Sequence, residues 1–173
     1  KIENMRLQHD ELVNSVSDAD PAPAEPEKEF GSVVVCAGEG MAALFTELGA
    51  DRIVTGGQTM NPSTEDILKA VNATPASTVF VFPNNKNIIM AAEQVAPLTE
   101  KKVVIIPTKT IPQGVSAMLG MEIYEQSEEE LIASANESIA NVHTALITYA
   151  ARDSDFDCSQ INAGESPRLL DAA

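Results

Sequence analysis

Three stretches carry the residue types that chemistry would need. "RDSDFD" (152–157) sets three carboxylates close together, the oxygen-rich pattern of a magnesium site. "GEGMAA" (38–43) fits G-x-G-x-x-A, the turn that lays a dinucleotide pyrophosphate on a helix N-terminus. "GGQTMNPST" (56–64) joins two glycines to hydroxyl and amide side chains, as a loop that holds an anion through backbone N–H groups would. Each falls short. Acids directly after a strand also make an ordinary solvated turn, and no phosphate-binding loop accompanies these. Glu39 inside the second motif repels a pyrophosphate, and Thr55, Gly56 and Gly57 stand where a ribose-binding acid is expected. The third lacks G-K-[ST], and with it the lysine that reaches terminal phosphates.

Nucleophiles and bases are no better placed. His9 lies beside a linker-like stretch and His143 near the end of a helical pattern, and no Ser sits in a nucleophile elbow. Cys36 and Cys158 make neither a disulfide framework nor a zinc site. Cys36 closes an apolar run and reads as a buried structural thiol. The sequence holds no self-sufficient active site.

The elements that position these stretches follow a strand–loop–helix rhythm. "SVVVCA" (32–37), "RIVT" (52–55), "TVFVF" (78–82) and "KVVIIP" (102–107) are β-branched runs, as expected of strands covered on both faces. Met41, Leu44, Phe45 and Leu48 share a helical face that Gly49 ends. A helix is expected from about Ile88 to Val95 and a short one from Val115 to Leu119. "SEEELIASANESIANVHTAL" (127–146) opens on a Ser127–Glu130 capping box, with Leu131, Ala135, Ile139, Val142 and Leu146 on one face. "LITYAA" (146–151) reads as a further strand. Alternation of solid apolar strands with helices predicts an α/β fold: a doubly wound, mostly parallel sheet of about five strands with helices on both faces.

In such a sheet, ligands and partners meet the loops leaving the carboxyl ends of the strands. Gly56, Gly57, Gln58, Thr59, Asn61, Asn84, Asn85, Asn87, Thr110 and Gln113 would lie along that edge, with Glu39, Lys86 and Lys109 as its charges. Asn61 before Pro62 suits a helix N-cap, followed by Glu65 and Asp66. Capping leaves Gly56, Gly57, Gln58 and Thr59 unexplained.

Along the chain, residues 1–14 read as the end of a preceding domain and 15–30 as an acidic Pro/Ala linker. Residues 31–151 form the α/β domain, and 152–173 the start of a truncated further portion. Eleven bases against 26 acids give −15, with −5 of it on residues 1–30. That balance disfavours nucleic acid and anionic membranes as partners. No apolar run reaches a membrane span and no secretory signal is visible, so a cytoplasmic setting is expected.

"GEGMAALFTELGADRIVTGGQTMNPSTEDILKAV", "FPNNKNIIMAAEQ" and "IPTKTIPQGVSAML" resemble the C-terminal region of the bacterial fatty acid kinase FakA family, YloV-type and dihydroxyacetone kinase-like. The resemblance implies a DegV-related fold whose characteristic loops are Gly56 to Asn61, Pro83 to Asn87 and Thr108 to Gly114. It also implies a non-catalytic domain that docks a fatty-acid carrier of the FakB (DegV) type. ATP and magnesium belong, by the same resemblance, to a separate helical kinase domain, and this stretch needs no cofactor. A homodimeric parent is one option. The tail departs from the family's "RDT…DG…GD": Ser154, Cys158 and Glu165 stand in place of Thr, Gly and Asp. A fatty acid or small ketone bound at the same loop edge is the alternative function.

Overall fold

The computed structural model describes residues 25–56, 61–121, 127–147, 154–156, 159–161 and 168–170. Its centre is a four-stranded parallel sheet in the order β2-β1-β3-β4. The strands are β1 (Lys28–Val35), β2 (Arg52–Val54), β3 (Ala76–Phe82) and β4 (Lys102–Ile105). Register is fixed by Val34 opposite Ile53 and Phe82, and by Phe80 opposite Val104. The helices are α1 (Glu39–Glu47), α2 (Thr64–Ala73), α3 (Lys86–Glu93), α4 (Ile111–Gly120) and α5 (Glu128–Ala140). The fold is doubly wound α/β, as the sequence predicts.

Period-two alternation in the central strands builds two different cores. Phe30, Val34, Phe80 and Phe82 point to one face, where Phe45 of α1, Ala117 and Met118 of α4, and Leu131 and Ala135 of α5 cover them. Val33, Val35, Val79 and Val81 point to the other, against Ile67 and Val71 of α2 and Ile88 and Ala92 of α3. Nearly all the aromatic volume lies on the first face, where the Phe30 and Phe80 rings stand 5.8 Å apart. Small alanines on the covering helices make room for it. Full burial of each such Val or Phe side chain contributes about 1.5–3 kcal/mol.

Local signals set the helix ends. α1 closes in a Schellman motif: Gly49, at φ 95, donates its N–H to the Thr46 carbonyl, and Ala50 donates to Phe45. At the end of α2, the Lys101 ammonium reaches the carbonyls of Val71 (3.4 Å), Asn72 (3.0 Å) and Thr74, satisfying acceptors the helix leaves open. At the start of β2, the Asp51 carboxylate accepts the Ser32 N–H at 2.8 Å and pairs with Lys28.

Several boundaries differ from expectation. The parallel sheet has four strands rather than about five. β5 (Ala145–Ile147) instead pairs antiparallel with β8 (Arg168–Leu170), and β6 (Ser154–Phe156) pairs antiparallel with β7 (Ser159–Ile161). The last long helix stops at Ala140 instead of 146. Asn141 turns its amide Nδ2 back to the Glu137 carbonyl at 3.1 Å, and Thr144 then meets Thr110. Helix α4 begins four residues before the expected Val115, because Thr110 caps it and Pro112 fits its first turn. Ser63, not Asn61, caps α2: Asp66 N–H donates to Ser63 Oγ, and Ser63 N–H donates to the Asp66 carboxylate. That reciprocal pair satisfies two donors, which a simple Asn61 cap would not. The Ser127–Glu130 box of α5 forms as expected.

Candidate functional site

The order β2-β1-β3-β4 reverses direction between β1 and β3. The chain winds outward from β1 to β2, then crosses back to add β3 and β4 on the other side. Loops leaving the two central strands therefore diverge at their carboxyl ends, where open α/β sheets place their sites. Asn84 stands at this point. Its φ of 55 is the left-handed conformation that asparagine tolerates best after glycine. The residue is buried, and its Nδ2 donates to the Val35 carbonyl at 3.0 Å, bridging the ends of β3 and β1. Its backbone N–H donates to Thr108 Oγ1 at 3.0 Å, tying the β3 loop to the β4 loop. Asn84 Oδ1 has no hydrogen-bond partner and rests against Gly114 of α4.

The neighbouring polar residues divide into two groups. Asn85 caps α3 by accepting the Asn87 N–H at 2.9 Å. Thr110 caps α4 by accepting from Gln113, and shares a 2.9 Å hydroxyl contact with Thr144. Gln113 is buried, and its Oε1 accepts the Lys109 N–H at 2.8 Å. These side chains, with Asn84, hold the loops in shape. Asn61, Lys86, Asn87 and Lys109 are exposed on the same edge and face outward. Gly56 closes the described run after β2; Gly57, Gln58 and Thr59 lie outside the described residues.

Two bracing roles carry little sequence signal. Thr108, fully buried, is one more hydroxyl in a polar run, and the Val35 carbonyl is backbone. The T-x-x-Q spacing of Thr110 and Gln113 is the one cue that marks the α4 cap.

The other chemical candidates take plain positions. Gly38, at φ 88, opens α1 without a side-chain cap, and Glu39 occupies the first turn, where a pyrophosphate would have to sit. Cys36 is buried at the end of β1, and desolvation pushes its thiol pKa up, the opposite of what a nucleophile needs. His143 is exposed beyond the end of α5. Part of "RDSDFD" forms β6, while Asp153 and Asp157 lie outside the described residues, as do His9 and Cys158. Among the described residues no cluster of three metal-binding side chains occurs, and no helix is long and apolar enough to cross a membrane.

Comparison with known proteins places this architecture. The chain is 43% identical over 171 residues, 98% of its length, to Protein YloV of Bacillus subtilis strain 168. It is 41% identical over 168 residues to Uncharacterized protein SERP0792 of Staphylococcus epidermidis, covering 95% of this chain. Over 161 residues, 93% of this chain, it is 40% identical to Uncharacterized protein SAUSA300_1119 of Staphylococcus aureus strain USA300. It spans 31%, 30% and 29% of the lengths of these three relatives. The profile of the FakA-like C-terminal family of fatty acid kinases matches residues 31–171, with the parallel sheet, the Asn84 bridge and the carboxyl-edge loops inside the match. The chain belongs to this FakA-like C-terminal family.

Proposed function

We propose that this domain recognises a partner for a fatty acid kinase whose phosphoryl-transfer machinery lies in another part of a longer parent protein. The observation that carries the reading is the division of labour on the carboxyl edge. Buried amides and hydroxyls at Asn84, Thr108, Thr110 and Gln113 brace the loops, leaving Asn61, Lys86, Asn87 and Lys109 directed outward. A rigid scaffold presenting polar side chains without an acid–base pair suits binding.

The partner in this reading is a fatty-acid carrier of the FakB type, held so that an ATP- and magnesium-dependent domain phosphorylates the acyl carboxylate. The setting is the cytoplasm, and the domain itself uses no cofactor. Gly56, Gly57, Gln58 and Thr59 complete the same docking edge.

The test adds an excess of this chain to the full-length parent with ATP, fatty acid and limiting carrier. Acyl phosphate formation falls as the chain sequesters the carrier, and the chain alone transfers no phosphate. Undiminished turnover in the presence of excess chain, or turnover by the chain alone, contradicts the reading.

A further inference from the structure

The chain carries a formal charge of −15, and most of its described cations are engaged. Lys28 pairs with Asp51, Lys69 with Glu65 at 2.9 Å, and Lys102 with Glu128 at 2.7 Å. Lys101 is spent on the carbonyls that end α2, and Arg52 donates to the Ala73 carbonyl at 3.3 Å. Lys86 and Lys109 differ. Both are exposed, and among the described residues neither ammonium has a carboxylate or carbonyl partner.

Their positions coincide. Lys86 follows β3 and Lys109 follows β4, neighbouring parallel strands whose loops are joined by the 3.0 Å bond from Asn84 N–H to Thr108 Oγ1. Folding gives no reason for a cation at Lys86, which opens α3 where the helix dipole favours an anion. Helices α2 and α5 obey that preference, with Glu65 and Asp66 in one first turn and Glu128, Glu129 and Glu130 in the other. The acids elsewhere on this edge are set apart. Glu39 follows β1, on the far side of the β3 loop from β4. Glu65 and Asp66 follow β2 at the opposite end of the strand order, and are held by Lys69 and Ser63.

We infer that the β3–β4 half of the carboxyl edge is an electrostatic docking patch, where Lys86 and Lys109 meet carboxylates on the partner protein. The inference rests on the docking reading above and adds the chemistry of the contact. An acidic protein surface fits better than a membrane or nucleic acid, because the rest of this −15 chain repels an extended polyanion, whereas a local carboxylate cluster needs only the patch. It fits better than a small anion because both ammonium groups stand in solvent, where a single ion pair is weak and gains count only when many contacts form together.

The experiment measures association of a FakB-type carrier with this chain by stopped flow at about 50 mM and about 500 mM salt, which spans weak to strong screening. Wild type is compared with Lys86→Glu/Lys109→Glu and with a control of equal net charge, Lys69→Glu/Lys102→Glu. Denaturation midpoints confirm that all three are folded. The patch variant associates about tenfold more slowly at low salt and within about twofold of wild type at high salt, while the control stays within about twofold throughout. Equal slowing by both variants, no slowing, or acceleration by the patch variant overturns the patch while leaving docking intact. Absence of carrier binding by wild type removes docking, and the patch with it.

Discussion

The amide oxygen of Asn84 occupies the space that a side chain on Gly114 would need: a Cβ there would lie 2.0 Å from Oδ1. The contact joins the switch point of the sheet to the first turns of α4. Asn84 cannot yield, since Nδ2 holds the Val35 carbonyl and the backbone N–H holds Thr108. Gly114→Ala is therefore expected to destabilise the domain by about 1–3 kcal/mol, the cost of overpacking a closed site. In an Asn84→Gly background the same change costs much less, because glycine suits φ 55 and removes the obstructing amide. Urea denaturation of the four proteins of this cycle measures the coupling.

The two capping boxes make stability fall with acid. Hydrogen bonds from the Ser63 hydroxyl, then from its backbone N–H, hold the Asp66 carboxyl below its ordinary pKa. The Ser127 N–H, then its hydroxyl, do the same for Glu130. Depressed folded pKa values mean that this stabilisation is whole above the unfolded values of about 3.9 and 4.3, and drains away as pH drops through the folded ones. The urea midpoint of wild type falls between pH 5 and pH 3 by more than that of Asp66→Asn/Glu130→Gln. Parallel curves would deny the boxes this role.

Lys101 crosses from the start of β4 to the end of α2, and its removal strands three carbonyls. Lys101→Met, which keeps the aliphatic stem, is expected to cost about 1–3 kcal/mol, the range for leaving part-buried acceptors unpaired. Hydrogen exchange checks the location: protection is lost first in the last turn of α2, near Val71 to Ala73.

Cys36 is sealed under the first core face with its thiol pKa raised by desolvation. In a Cys158→Ser background, Cys36 reacts with a thiol reagent only as fast as the domain opens, and reaches the rate of a free thiol in urea. Rapid labelling of the native protein would contradict its burial.

Strands and helices are legible in proportion to how local their causes are. β-branched runs sheathed by helices announce parallel strands, and Ser127 with Glu130 announces α5 from four residues alone. Helix α4 reads too short from sequence because Pro112, Gly114 and Gly120 look like breakers. Pro112 belongs in a first turn, and Gly114 is present to admit Asn84. The dipeptide Asn61-Pro62 hides a competition for the α2 cap, since the box two residues on satisfies more donors. Asn84 reads from sequence as a loop residue available to a ligand. Its bracing role depends on Val35, 49 residues earlier, and no spacing rule links the two. β5 is legible as a strand, but not its partner, because apolar runs carry no address for pairing.

Titrating a FakB-type carrier into this chain in a calorimeter, first without nucleotide and then with ATP and magnesium, tests the central claim most directly. The account predicts saturable binding in both cases and no acyl phosphate in either cell. Absence of binding by both this chain and its full-length parent, or phosphate transfer by this chain alone, would contradict it.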